Sequence, residues 1–269
     1  MRDDVVLSNL KFLVEIFGSL RGSRALVDPR GLAACDCGTD EAYENYALLT
    51  PGARNIDELV SKCARFFAAS RRPFIWPLFP NAFETPDALS EARRLIEESG
   101  AKLDDTFFAM EANVSGRDIP NAEGDSLQGV WLAGAEAAEW ADAVWQGFDS
   151  TEPVPDKFVK FAGEAAQKDE ISLFGLRSKR DGTMASTGLL CSDGDTAGAY
   201  YVSTRSEYRR RGLGLLVMGA LLDRAEAIGC AKTSLLATSA GRPLYLNCGF
   251  REIDKVTIMK QEANLGITR

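Results

Sequence analysis

A chain of 269 residues that is 45% hydrophobic and 26% charged has a globular balance, with length for one large domain or two small ones. Its net charge of −8 argues against binding nucleic acid or an acidic membrane, and is only loosely compatible with a cationic substrate. It contains no histidine, which removes Ser-His-Asp and Cys-His catalysis and imidazole metal sites in one step, and no metal is expected.

The six cysteines are scattered, and only Cys35-x-Cys37 is close-spaced, so buried free thiols in a reducing compartment are expected. The opening MRDDVVLSNLKFLVE mixes acids into its apolar run, unlike a signal peptide. Gly212–Leu222, as long as any uncharged stretch in the chain, is too short to span a bilayer. A cytoplasmic location is expected.

In chain order, residues 4–20 place Val6, Leu10, Leu13, Val14 and Phe17 on one stripe of an amphipathic helix. Short strands are predicted near Arg24–Val27 and Leu32–Cys35, and another over Tyr43–Leu49, broken by Pro51-Gly52. Asn55 can cap a helix running to about Ser70. Pro73–Phe79 reads as a short strand, Pro86–Ser99 as a helix ended by Gly100, and Ala101–Ala112 as one or two strands. A linker is placed at Val114–Asp125. Beyond it come strand Leu127–Leu132, a helix from Ala135 with Trp140 and Val144 inward, and a helix near Asp156–Ala166. Strands Ile171–Arg177 and Thr183–Ser192 meet at the Arg180-Asp181-Gly182 turn.

The stretch Ala199–Gly214 organises the rest. A strand over Ala199–Thr204 runs into Arg209, Arg210, Arg211, Gly212, Leu213 and Gly214, and a helix follows to Gly229. Such a turn aims the unpaired N–H groups and positive end of the helix at one spot, which suits a pyrophosphate. Arg209-x-x-Gly212-x-Gly214 after a strand resembles the acetyl-CoA signature of the GNAT superfamily of N-acetyltransferases, Gln/Arg-x-x-Gly-x-Gly/Ala. Downstream, strand Thr233–Thr238, a helix over 241–248 and strands over 250–260 put Tyr245 just ahead of Gly249-Phe250, the family's second hallmark.

The resemblance covers about the last 140 residues well and the first 115 loosely. It implies an α/β (α+β) fold with a GNAT-like mixed central sheet flanked by helices, preceded by a smaller, degenerate GNAT-like domain. The expected division is 1–117 and 118–269. A faint repeat supports the first copy: Ser99-Gly100 before Met110 matches Cys248-Gly249 before Met259. That copy has TPGARNID where the second has STRSEYRRRGLG, so it should not cradle a pyrophosphate.

By resemblance, acetyl-CoA is the cosubstrate. The main chain of Val202, Ser203 and Thr204 would pair with its pantetheine arm and acetyl carbonyl. The backbone of Arg210, Arg211, Gly212, Leu213, Gly214 and Leu215 would hold the pyrophosphate, and Arg205 and Arg209–Arg211 would add charge. Ser239 stands in the region where many members carry an Asn, and would keep that residue's hydrogen bond to the cofactor arm. Tyr245 matches the general acid, and its ordinary pKa near 10 keeps it protonated at neutral pH. No acid lies on Ala199–Thr204; Asp193 and Asp195 sit in the preceding turn and Glu207 in the phosphate loop, so a water chain is expected as base. The acceptor would be a primary amine of a small molecule or peptide, bound near Phe148–Pro155. Neither its identity nor the oligomeric state is legible; a homodimer is one assembly the sequence allows. The other reading is a non-catalytic acyl-CoA-binding or sensing protein. No P-loop and no Rossmann glycine pattern is present.

Overall fold

The structure, a computed structural model, describes residues 4–115 and 126–262. Residues 116–125 of the expected linker lie outside the described residues. The chain divides into two compact units, one of Met1–Ala109 with Asp254–Arg269, the other of Met110–Ile253.

The first unit opens with helix α1 (Val5–Gly18), whose N-terminus is capped by Asp4 Oδ1, accepting from the N–H groups of Val6 at 3.0 Å and Leu7 at 3.1 Å. Its expected stripe of Leu10, Leu13, Val14 and Phe17 is buried. Strands β1 (Arg24–Asp28) and β2 (Leu32–Asp36) form an antiparallel hairpin. Next come β3 (Tyr46–Leu49), helix α2 (Ile56–Ala68), β4 (Phe74–Leu78) and helix α3 (Pro86–Glu98). The strand expected to begin at Tyr43 begins at Tyr46, because a 3-10 turn occupies Ala42–Glu44. Asn45 fixes that entry: its side chain accepts from Cys37 N–H and donates to the carbonyls of Thr39, Glu41 and Pro73. Strand β5 (Lys102–Asn113) starts in this unit and ends in the second, while β11 (Arg251–Gln261) starts in the second and ends here. The first unit's sheet runs β1-β2-β3-β4-β11, with β11 antiparallel to β4 from Thr257↔Leu78 to Gln261↔Phe74. Leu49, Leu59, Phe67, Phe74, Trp76, Ile96 and Met259 form its core, with Phe67 and Phe74 stacked at 3.9 Å.

In the second unit β6 (Leu127–Leu132) is followed by α4 (Ala137–Gly147) and α5 (Asp156–Ala165). The chain then makes a meander of β7 (Ile171–Ser178), β8 (Met184–Ser192) and β9 (Thr196–Thr204). Helix α6 (Leu213–Ala227), strand β10 (Lys232–Ala237) and helix α7 (Arg242–Asn247) complete it. The strand order is β10-β9-β8-β7-β6, antiparallel except that β10 runs parallel to β9. Helices α4 and α6 both pack on β8 and β9. Trp140 of α4 is buried, donates its indole N–H to the Phe174 carbonyl at 3.2 Å and meets the Tyr201 ring, which in turn meets Phe158. The mixed sheet flanked by helices is the fold class the sequence implied.

Candidate active site

The site begins with an irregularity in β9. Thr187 stands opposite Ser203, but Leu189 stands opposite Tyr200, so β9 carries one residue more than β8 across the same interval. Tyr201 absorbs it with φ +50. Hydroxyls of β8 stitch the bulge: Thr187 Oγ1 donates to the Tyr201 carbonyl at 3.1 Å and lies 2.8 Å from Ser203 Oγ. Ser186 Oγ donates to the Ser203 carbonyl at 2.6 Å and lies 2.8 Å from Thr204 Oγ1.

On its other edge β9 pairs with β10 only over Thr196–Gly198 against Lys232–Ser234; among the described residues the pairing stops there. The end of β9 therefore keeps an open edge. Arg205 N–H bonds the Ala185 carbonyl at 3.0 Å, which sets the alternation. Ser203 turns its main-chain groups to β8, whereas Val202 and Thr204 turn theirs to the open edge. The Thr204 carbonyl there accepts from Arg209 Nε at 3.0 Å.

At the top of that edge Arg210 has φ +62 and Gly212, at the N-cap of α6, has φ +77 and ψ 7. A Cβ on Gly212 would meet nothing within 4 Å, so what the position demands is the left-handed backbone, and the space beside it is open. The α6 ladder begins with the N–H groups of Leu215 and Leu216 on the Gly212 carbonyl, at 3.0 and 3.2 Å. The N–H groups of Leu213 and Gly214 precede it, and no acid occupies the first turn. This helix start is electropositive and made of backbone.

The arginines divide by role. Arg209 spends its guanidinium on protein groups: besides Thr204, Nη2 donates to the Gly147 carbonyl at 2.8 Å and pairs with Asp149 Oδ1 at 2.8 Å. Arg205, whose charge the sequence reading gave to the ligand, donates from Nε to the Met184 carbonyl and pairs with Asp142. Arg211 reaches back to the Glu207 carbonyl at 2.9 Å and lies over the Tyr208 ring. Arg210 is exposed.

Tyr245, on α7, is 9% exposed and packs edge-on against Phe250 at 6.1 Å. Burial, and then the Cys248 thiol beside it, push its phenol well above the ordinary tyrosine value. Ser239 is exposed in the turn after β10, where Thr238 Oγ1 accepts from Gly241 N–H at 3.1 Å. Asp193 closes its own turn, accepting from Asp195 N–H and from the N–H and hydroxyl of Thr196, and Glu207 is exposed. The sequence reading missed the bulge and its Ser186–Thr187 stitching. Hydroxyl pairs in two apolar strands of one meander were the available signal.

Among the described residues no group of three or more His, Cys, Asp or Glu side chains gathers as a metal ion would need. No helix there is long and apolar enough to cross a membrane.

Residues 130–241 match a family model described as acetyltransferase (GNAT) domain. No curated protein matches the chain. Among solved structures, the chain is similar to a GCN5-related N-acetyltransferase from Kribbella flavida, at TM-score 0.67 and 17% identity over 97% of this chain and 96% of that one. It is similar to another from Sphaerobacter thermophilus, at TM-score 0.60 and 15% identity over 91% and 84%. A tandem GNAT protein from the clavulanic acid biosynthesis pathway matches at TM-score 0.59 and 12% identity over 98% and 97%. At such identities the likeness is one of fold. Residues 130–241 thus match a GNAT acetyltransferase domain, and the chain as a whole shares its fold with solved structures that include a tandem GNAT protein.

Proposed function

We propose that the protein is an N-acetyltransferase, moving the acetyl group of acetyl-CoA to a primary amine by direct attack in a ternary complex. The observation that carries this reading is Gly212, left-handed at the N-cap of α6 and set at the end of β9's open edge. An acyl-CoA matches that pairing of a strand edge with a helix start: an extended amide-bearing arm for the first, a pyrophosphate for the second. Val202 and Thr204 would receive the arm, and the backbone from Arg210 to Leu215 the pyrophosphate. The thioester supplies the activated acyl group. Burial keeps the Tyr245 phenol protonated and makes it a weaker acid; in this reading it gives its Oη proton to the leaving thiolate and is refilled, through water, by the proton that the attacking amine loses. In this reading the protein acts in the cytoplasm, and the first unit is a degenerate domain that binds no acyl-CoA of its own.

A second reading, an acyl-CoA-binding or sensing protein without catalysis, draws on the acid-free β9 and on Asp193 being occupied in its own turn. Calorimetric titration with acetyl-CoA, with ATP and NAD as controls, tests the shared part. Binding of acetyl-CoA alone is the expected result, and no binding rejects both readings. Release of CoA with any member of an amine panel then separates enzyme from sensor.

A further inference from the structure

Three non-glycine residues described in the second unit have positive φ: Asp149 at +63, Tyr201 at +50 and Arg210 at +62. They lie on three segments, the end of α4, the bulge of β9 and the turn before α6. Each holds a backbone that a side chain disfavours, and such strain persists only where surrounding contacts impose it.

The bulge at Tyr201 is held by Thr187 of β8, and Arg209, next to Arg210 in the turn, ties the end of β9 to the end of α4. Its Nε bonds the last carbonyl of β9, and its Nη2 bonds the Gly147 carbonyl and the Asp149 carboxylate just beyond α4. Gly147 itself lies hard against β9, since a Cβ there would sit 2.4 Å from Ser203 Oγ. Asp149 terminates α4 through its N–H to the Gln146 carbonyl, and Ser150 N–H follows onto Trp145. Glycine usually fills such a left-handed helix end. An aspartate there gives up conformational ease and places a carboxylate on Arg209. A planar guanidinium with donors on separate nitrogens can bond two segments at once, which a lysine ammonium cannot do in the same geometry.

We propose that Arg209 is a positioning residue, a strut that couples the acyl-donor turn to the loop 148–155, so that donor binding orders the side from which the acceptor enters. This rests on the donor site proposed above, and it moves Arg209 from phosphate ligand to connector. Coupling of this kind is reciprocal, so an ordered loop also tightens the hold on the donor.

The test needs no knowledge of the acceptor. Hydrogen exchange over residues 148–155 is followed with and without CoA, beside calorimetry, for wild type, Arg209→Lys and Asp149→Gly. CoA is expected to slow exchange in this loop about tenfold or more in wild type, within the usual range of coupling between sites. Arg209→Lys should still bind CoA within about threefold of wild type, because the backbone holds the phosphates, yet lose the loop protection. Asp149→Gly relieves the left-handed strain and removes the carboxylate; it should stay folded, bind CoA and lose most of the protection. A loss of CoA affinity beyond about tenfold in Arg209→Lys, with protection kept once CoA is bound, makes Arg209 a phosphate ligand and overturns the strut. Wild type that binds CoA without any change over 148–155 also overturns it and leaves the donor site standing. Wild type that binds no CoA removes the donor site and the strut together.

Discussion

Each of the two units contains the same local backbone arrangement, with different side chains at its helix start. In each, a parallel pair of strands flanks a helix whose N-cap residue is left-handed: Asn55 before α2 and Gly212 before α6. In each, a later helix ends by the same hydrogen bond into a glycine and a long strand. Ala101 N–H bonds the Ile96 carbonyl, as Phe250 N–H bonds the Tyr245 carbonyl. The backbone is repeated, and the side chains decide the outcome. The first turn of α2 carries Asp57 and Glu58, which occupy a helix start that would otherwise favour an anion, and Arg30 closes over Glu58. Arg30 and then Lys62 hold the nearby Asp28 carboxyl well below the ordinary carboxylate range, fixing this cluster as ion pairs. The counterpart of Tyr245 is Ile96, fully buried in the core. One copy has a helix start free of acids and a tyrosine on its later helix; the other has acids and an aliphatic core residue at those positions.

Four substitutions break or sharpen that contrast. Gly212→Val puts a β-branched side chain on a left-handed backbone, and calorimetry should show donor affinity falling by about a hundredfold or more. Tyr245→Phe keeps the packing and removes the proton. Steady-state kinetics should show kcat lowered by about a hundredfold, with the donor KM changed by less than about threefold. Because burial raises that phenol's pKa, kcat in the wild type should show no descending limb from Tyr245 below pH about 10, and a limb there would reject the assignment. The same shift contributes stability that is full below tyrosine's ordinary value and is lost as pH climbs above it. Leu215→Glu gives α6 an acid where α2 has Glu58; donor affinity should drop about tenfold, and less in high salt. Asn55→Gly relieves the left-handed cap of α2 and should raise stability by less than about 1 kcal/mol in thermal unfolding, leaving donor binding untouched.

Much of the second unit was legible because glycine and arginine mark its turn so sharply. The strand before Arg209, the helix after Gly212 and the stop at Gly229 follow from local backbone preference and apolar spacing. The direction of the arginine side chains was not legible. Arg205 and Arg209 look like ligand charges in a linear reading, and only the approach of α4 gives them Asp142, Gly147 and Asp149 as partners. The bulge at Tyr201 was hidden for a similar reason, since a register shift depends on the neighbouring strand. Ala101–Ala112 and 250–260 were recognised as strands, and each is a single one. That β5 leaves the first unit while β11 enters it could not be read from either segment, because pairing partners distant in sequence leave no local trace.

That last exchange bears on how the protein is made. Phe74–Leu78 find their antiparallel partners in residues 257–261, so β4, which has β3 on its other side, keeps this one edge unpaired throughout synthesis of the whole second unit. Chains generally fold from the N-terminus as they emerge, but here the earlier half must wait for the later one. The waiting strand, FIWPL, is apolar and becomes fully buried, the kind of surface that chaperones shield and that aggregates when unshielded. The long closure makes this a slow, non-local step in maturation. Severing the chain at the expected boundary near residue 117 would separate that edge from β11, leaving a first half prone to self-association.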